Sequence, residues 1–169
     1  MTWQLFIFIS ILAEVFGRLL QRTLLLKNNS DPIAYSIVFQ LLAGFFVGCY
    51  ALSQGFSIPS NISSILPNLI VMPILWSLVN IFLFHSLKHT EASVFMVLFS
   101  TRAIWQIIGA ILLLNETFAP IQFLGATLIF GSVILISGRK NKVSIKKGEM
   151  FALLSAIAFA LAIINDSFV

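Results

Sequence analysis

Long apolar runs are the feature that most constrains what this chain can fold into. Five segments hold enough apolar residues to cross a membrane, and a sixth begins near Gly148. About 20 helical residues span about 30 Å, which is the thickness of the hydrocarbon core of a bilayer. Only 9% of the residues are charged, whereas soluble domains carry about 25%. We therefore expect lipid rather than water to surround most of this chain.

The apolar runs predict six transmembrane helices. Their predicted ranges are 3–20, 32–52, 66–87, 92–114, 121–137 and 148 onward. Pro32 and Pro67 are expected near helix N-termini, where a missing N–H is tolerated, and Pro73 predicts a kink. Runs such as residues 110–114 do not show the in–out alternation of a transmembrane β-strand. The predicted fold class is an all-α membrane protein.

The basic residues alternate along the connectors between these helices. Eight of the ten lie in the first, third and fifth connectors: Arg22, Lys27, Lys88, Arg139, Lys140, Lys142, Lys146 and Lys147. Because Lys and Arg in short loops favour the cytoplasmic side, we expect these connectors in the cytoplasm and the N-terminus outside the cell membrane. The formal charge of +4 thus reflects topology, and no nucleic-acid partner is expected.

Arg102 is the most conspicuous polar residue inside an apolar run. A charged group at that depth is costly, so it normally faces a protein interior or a wet cavity. A guanidinium binds a carboxylate or phosphate through two N–H donors, and Gln106 lies one turn later on the same helix face. Trp105 could stack on a solute or on lipid. Arg102 is therefore either the anion anchor of a solute site or half of a structural ion pair.

Glu14 and Asn80 are the other polar candidates within membrane segments. Glu14 precedes Arg18 by one helical turn, so the two charges can neutralise each other. Alternatively, Glu14 carries a proton in an exchanger, or it pairs with Arg102 at a similar depth. Asn80 either hydrogen-bonds to a neighbouring helix or contacts solute. The predicted substrate-binding residues are Arg102, Gln106, Glu14, Asn80 and Trp105.

Small residues and missing motifs narrow the prediction further. Gly44 and Gly48 form a GxxxG pattern, which predicts close packing of helices. The sequence contains no phosphate-binding loop, no HExxH motif, no GxSxG motif and no Cys/His cluster. We therefore expect neither an enzyme nor a bound cofactor or metal.

Residues 91–116 combine a small-residue-rich helix with a turn that contains Glu116, and residues 120–131 form a Gly–Ala-rich helix. This pattern resembles the end of a repeat in EamA-type transporters of the drug/metabolite transporter superfamily. Residues 147–156 look like the opening of a second repeat. The resemblance implies a ten-helix carrier made of two inverted five-helix repeats around a central solute cavity. It divides this chain into a first repeat at 1–138, a basic connector at 139–147 and the first helix of an incomplete second repeat at 148–169.

The resemblance and the embedded polar residues together predict a secondary transporter, or a truncated part of one. Its solute would be a small polar or amphipathic organic metabolite or drug, and proton-coupled export is one mechanism that fits. Since such a carrier closes two gating halves around one site, a single repeat would need a second half or a second copy. The alternative is a non-transporting membrane fragment, or a helical subunit that only binds partners.

Overall fold

Helices make up nearly all of the described chain in the computed structural model, which covers residues 2–27, 30–55, 62–117, 119–138 and 146–169. They are α1 (Thr2–Lys27), α2 (Pro32–Ser53), α3 (Ile62–His89), α4 (Ala92–Ser100), α5 (Arg102–Leu114), α6 (Pro120–Gly138) and α7 (Lys147–Asp166). No strand occurs within these ranges. The predicted all-α fold class is therefore confirmed.

Five helical spans are long and apolar enough to cross a membrane: α1, α2, α3, the α4–α5 pair and α7. The sixth segment, α6, has a shorter apolar stretch at Pro120–Leu135. Large apolar side chains on α1 and α2 point away from the protein; Phe16 is 69% exposed and Phe46 is 67% exposed. Because exposure of such surfaces to water is unfavourable, these faces require apolar surroundings, either lipid or further membrane helices. The chain is a multi-pass membrane protein.

Local sequence signals set several helix ends. Asp31 caps α2, since its Oδ1 accepts a hydrogen bond from the Ile33 N–H at 3.2 Å, and Pro32 follows as the first helical residue. Asn115 ends α5 with a φ of 52°, a left-handed conformation that Asn tolerates. The prediction for Pro67 was wrong, because α3 begins at Ile62 and places this proline inside the helix. A helix can extend beyond its apolar run into the headgroup region, which explains the earlier start.

The antiparallel pair of α3 and α7 forms the centre of the bundle. Four side-chain hydrogen bonds join the pair along its length: Ser86 Oγ to Gly148 O (2.8 Å), Ser155 Oγ to Val79 O (3.1 Å), Trp76 Nε1 to Asp166 Oδ2 (3.2 Å) and Asn165 Nδ2 to Asn68 O (3.0 Å). The face of α7 toward α3 is built from small residues, including the fully buried Ala152 and Ala156. Small side chains let the two backbones approach closely, which is how helices associate in lipid.

A phenylalanine cluster packs the remaining helices against this pair. Phe84, Phe95 and Phe99 are almost completely buried, and Leu25 brings the end of α1 into the same cluster. Tyr35 on α2 meets Phe84 edge to face at 4.9 Å between ring centroids. These contacts tie α1, α2 and α4 to one end of the bundle, while most of α1 and α2 faces outward.

Close packing at glycine occurs at positions other than the predicted ones. At Gly44 and Gly48, an added Cβ would have no neighbouring atom within 4 Å. By contrast, a Cβ on Gly109 would collide with Ile164, and a Cβ on Gly148 would collide with Thr90 and His89. The GxxxG pattern therefore does not mediate packing among the described residues, and the close approaches are those of α7 to α5 and to the end of α3.

Candidate solute-binding site

The fourth transmembrane span is interrupted immediately before Arg102. The hydroxyl of Ser100 donates to the Val97 carbonyl at 2.6 Å, and that of Thr101 donates to the Leu98 carbonyl at 2.7 Å. Two adjacent hydroxyls that bond back to the preceding turn compete with the regular helical ladder and bend or break helices. The break makes Arg102 the first residue of a new helix, α5, in the interior of the span.

The Arg102 guanidinium lies between aromatic rings from two helices. Its central carbon is 4.4 Å from the centroid of Phe99 on α4 and 4.7 Å from that of Phe159 on α7. Ring faces stabilise a cation and leave the N–H edge of a guanidinium open. Within the described part of the chain, the N–H groups of Arg102 have no hydrogen-bond acceptor. The geometry thus holds the charge in place and leaves its donors available.

The charges around Arg102 do not balance. Glu14 and Arg18 on α1 both lie close enough to Arg102 to interact with it electrostatically. The closest approach of Arg18 Nη2 to Glu14 Oε1 is 3.8 Å, an ion pair without a hydrogen bond. Arg18 instead donates to Gln21 Oε1 at 3.2 Å. Among the described residues, two guanidinium groups therefore share one carboxylate, and the cluster keeps an excess positive charge.

Gln106 and Trp105 lie on two different sides of α5. Gln106 lines a cavity of about 350 Å³ together with Ala103, Ile163 and Glu116. Trp105 is half-exposed and lines a separate apolar groove of about 240 Å³ between α5 and α7. Arg102 lines neither of them. The structure thus brings Glu14 to Arg102, while Gln106 and Trp105 lie one helical turn after Arg102 and line two different cavities.

Asn80 is engaged with its own helix. Its Nδ2 donates to the Trp76 carbonyl one turn earlier on α3, at 2.9 Å. The Trp76 indole in turn donates to Asp166 and meets Phe159 edge to face at 5.4 Å between centroids. Asn80 is therefore linked to the Arg102 cluster only indirectly, through Trp76 and Phe159.

Phe99 and Phe159 are site residues that the sequence reasoning did not identify. A signal existed for Phe99, because it precedes Arg102 by three residues and so lies on the same face of a helical span. Nothing in the sequence pointed to Phe159, since its contact with Arg102 depends on how α7 packs. The polar pair of Trp76 and Asp166 depends on the same packing.

Comparison with known proteins decides the family of this chain. Residues 1–138 match the sequence profile of the EamA-like transporter family. The chain belongs to the EamA-like transporter family. No curated protein and no solved structure gives a significant match. Members of the EamA-like family are membrane transporters rather than enzymes, and the matched region contains Glu14, Arg18, Phe99 and Arg102. Phe159 comes from α7, which lies beyond that region.

Proposed function

We propose that this EamA-like protein is a secondary carrier, or one half of a carrier, for a small organic solute that bears a carboxylate or phosphate. The observation that carries the proposal is the excess positive charge around Arg102. The guanidinium of Arg102 packs against two aromatic rings, and its N–H donors have no acceptor among the described residues. A charged group inside a membrane protein needs a partner, and an anionic solute would supply it. The phenyl rings suit an amphipathic solute, because they offer apolar contact next to the anion site.

Gln106, Trp105 and Asn80 have supporting roles in this proposal. Gln106 follows Arg102 by one helical turn and contributes amide donors to the cavity that it lines. Trp105 offers an indole face to the apolar part of a solute. The amide oxygen of Asn80 is available to solute, since the hydrogen bond to the Trp76 carbonyl uses its nitrogen. Carriers of this kind close two gating halves around one site, so closure would require a second gating half.

Glu14 is the residue proposed to couple transport to protons. Its carboxylate is exposed on α1 and faces two arginines that it cannot neutralise fully. Protonation of Glu14 would raise the positive charge of the cluster and favour an anion, whereas ionisation would favour release. Solute binding and proton binding would thus be linked through the same charges.

Uptake into proteoliposomes tests the proposed function. A panel of radiolabelled carboxylates and phosphate esters would be assayed with and without a proton gradient. We expect at least one anion to accumulate above empty liposomes, and the gradient dependence to disappear in Glu14→Gln. A chain that inserts normally but moves no member of the panel would favour the alternative of a non-transporting membrane protein.

We also propose that the basic end of the bundle faces the cytoplasm. Arg22, Lys88 and Lys146 belong to the first, third and fifth connectors, and they line one cavity at the same end of the bundle. Lys and Arg in short connectors favour the cytoplasmic side. In a Cys49→Ser background, Gln54→Cys should react with a membrane-impermeant maleimide in intact cells. Lys146→Cys should react only after lysis. The reverse pattern would place the N-terminus in the cytoplasm and contradict this orientation.

A further inference from the structure

A polar cavity lies at the basic end of the bundle, and none of the residues of the Arg102 cluster lines it. It measures about 220 Å³ and is enclosed by the end of α1, the α3–α4 turn and the start of α7. Its cationic lining residues are Arg22, Lys88 and Lys146. Helix ends coincide with the headgroup level of a bilayer. The cavity therefore opens where phosphate groups of lipids are concentrated.

The cations in this cavity are held in place but keep free donors. Arg22 Nε donates to the Thr90 carbonyl at 3.1 Å, which leaves its two Nη groups without a described partner. Lys88 Nζ donates to the Ser30 carbonyl at 2.8 Å and keeps two further N–H donors. Thr90 also lines the cavity, but its hydroxyl is buried against Gly148 and has no hydrogen-bond partner among the described residues.

The start of α7 adds to the attraction for an anion. Lys146 immediately precedes this helix, and the Glu149 carboxylate accepts the Lys146 backbone N–H at 3.2 Å. A helix N-terminus carries a partial positive charge that favours phosphate. Lys147 and Lys88 are near enough to His89 to interact with it electrostatically, so positive charge dominates this end despite the two carboxylates.

We propose that this cavity binds a phosphate group, in the form of the phosphodiester of a lipid headgroup. Arg22, Lys88 and Lys146 would donate to the phosphate oxygens, as basic pockets between transmembrane helices do for acidic lipids. Glu91, also in the lining, offers an acceptor for the hydroxyl or ammonium group of a headgroup. The Glu91 carboxylate repels inorganic phosphate, which carries between one and two negative charges at neutral pH, more than a singly charged phosphodiester, and this favours the lipid. This site is independent of solute transport.

Native mass spectrometry of the purified full chain in detergent tests the proposal. Phosphatidylglycerol would be titrated into the wild type, into the cavity variant Lys88→Gln/Lys146→Gln and into the control Lys27→Gln/Lys147→Gln. Both variants lose the same charge, but the control lysines do not line the cavity. We expect the cavity variant to bind the lipid about tenfold or more weakly, since it loses two cations of the lining. The control should bind at most about twofold more weakly, since Lys147 lies near His89 but does not line the cavity.

A single variant and a competition with inorganic phosphate complete the lipid-binding experiment. Lys146→Gln alone removes an exposed side chain, so it should weaken lipid binding about threefold even if the double variant unfolds. Inorganic phosphate in millimolar excess should not displace the lipid. If phosphate displaces the lipid from the wild type but not from the Lys88→Gln/Lys146→Gln variant, the cavity binds soluble phosphate, and the assignment to a lipid headgroup is wrong. Equal weakening in the cavity variant and the control, or none in either, would overturn the proposal.

Discussion

Replacing Arg102 with alanine is expected to abolish transport of an anionic solute while the protein still inserts and folds. The guanidinium makes no hydrogen bond to the described protein, and its ring contacts contribute modestly. Loss of a charged partner in a desolvated contact costs about 2–5 kcal/mol, or more than about thirtyfold in affinity. Proteoliposome uptake measures the loss, and circular dichroism with size-exclusion chromatography measures folding.

The variant Arg102→Lys separates charge from geometry. It keeps the cation but loses the planar fork that binds an anion bidentately and stacks on Phe99 and Phe159. We expect partial activity, between the wild type and Arg102→Ala. If Arg102→Ala and Glu14→Gln both fail to fold, the two residues form a structural ion pair instead, and the solute site lies elsewhere.

Adding a methyl group at Gly148 is expected to destabilise the bundle by about 1–3 kcal/mol. The new Cβ of Gly148→Ala would lie 2.9 Å from the backbone carbon of His89 and would also meet the Thr90 hydroxyl. Backbone atoms cannot move aside cheaply, so the start of α7 would shift away from the end of α3. Unfolding by sodium dodecyl sulfate, followed by circular dichroism, measures the change in stability.

Two other glycines provide graded controls for that experiment. At Gly109 the added Cβ would meet only side-chain atoms, Cδ1 and Cγ1 of Ile164. Since a side chain can rotate, Gly109→Ala should cost less than Gly148→Ala. Gly125 has nothing within 4 Å of its added Cβ, and Gly125→Ala should stay within about 0.5 kcal/mol of the wild type. Equal effects at all three positions would contradict the described packing of α7.

Hydropathy was sufficient to predict the fold class and six apolar helical segments, although the fourth segment is divided into α4 and α5. It was less successful at helix ends, because polar residues continue a helix into the headgroup region; α1 runs to Lys27 and α3 begins at Ile62. The GxxxG pattern at Gly44 and Gly48 did not locate the tight contacts. Such contacts depend on which faces meet, and the packed glycines Gly109 and Gly148 stand outside any GxxxG pair.

The candidate site was predictable only where a single residue was physically anomalous. Arg102 and Glu14 stood out because charge is costly in lipid, and the structure places them within electrostatic reach. The break of the fourth span at Thr101 had a local signal in two adjacent hydroxyl residues, which the hydropathy pattern does not register. Phe159 could not be found from the sequence, since α7 brings it to Arg102 across the bundle.

The most direct test of the central claim compares a charged solute with its neutral analogue. Uptake of a transported carboxylate and of its amide would be measured for the wild type and for Arg102→Gln. Contact between Arg102 and the solute anion predicts that the wild type prefers the carboxylate and that Arg102→Gln loses this preference while still moving the amide. An unchanged preference for the carboxylate in Arg102→Gln would contradict the account.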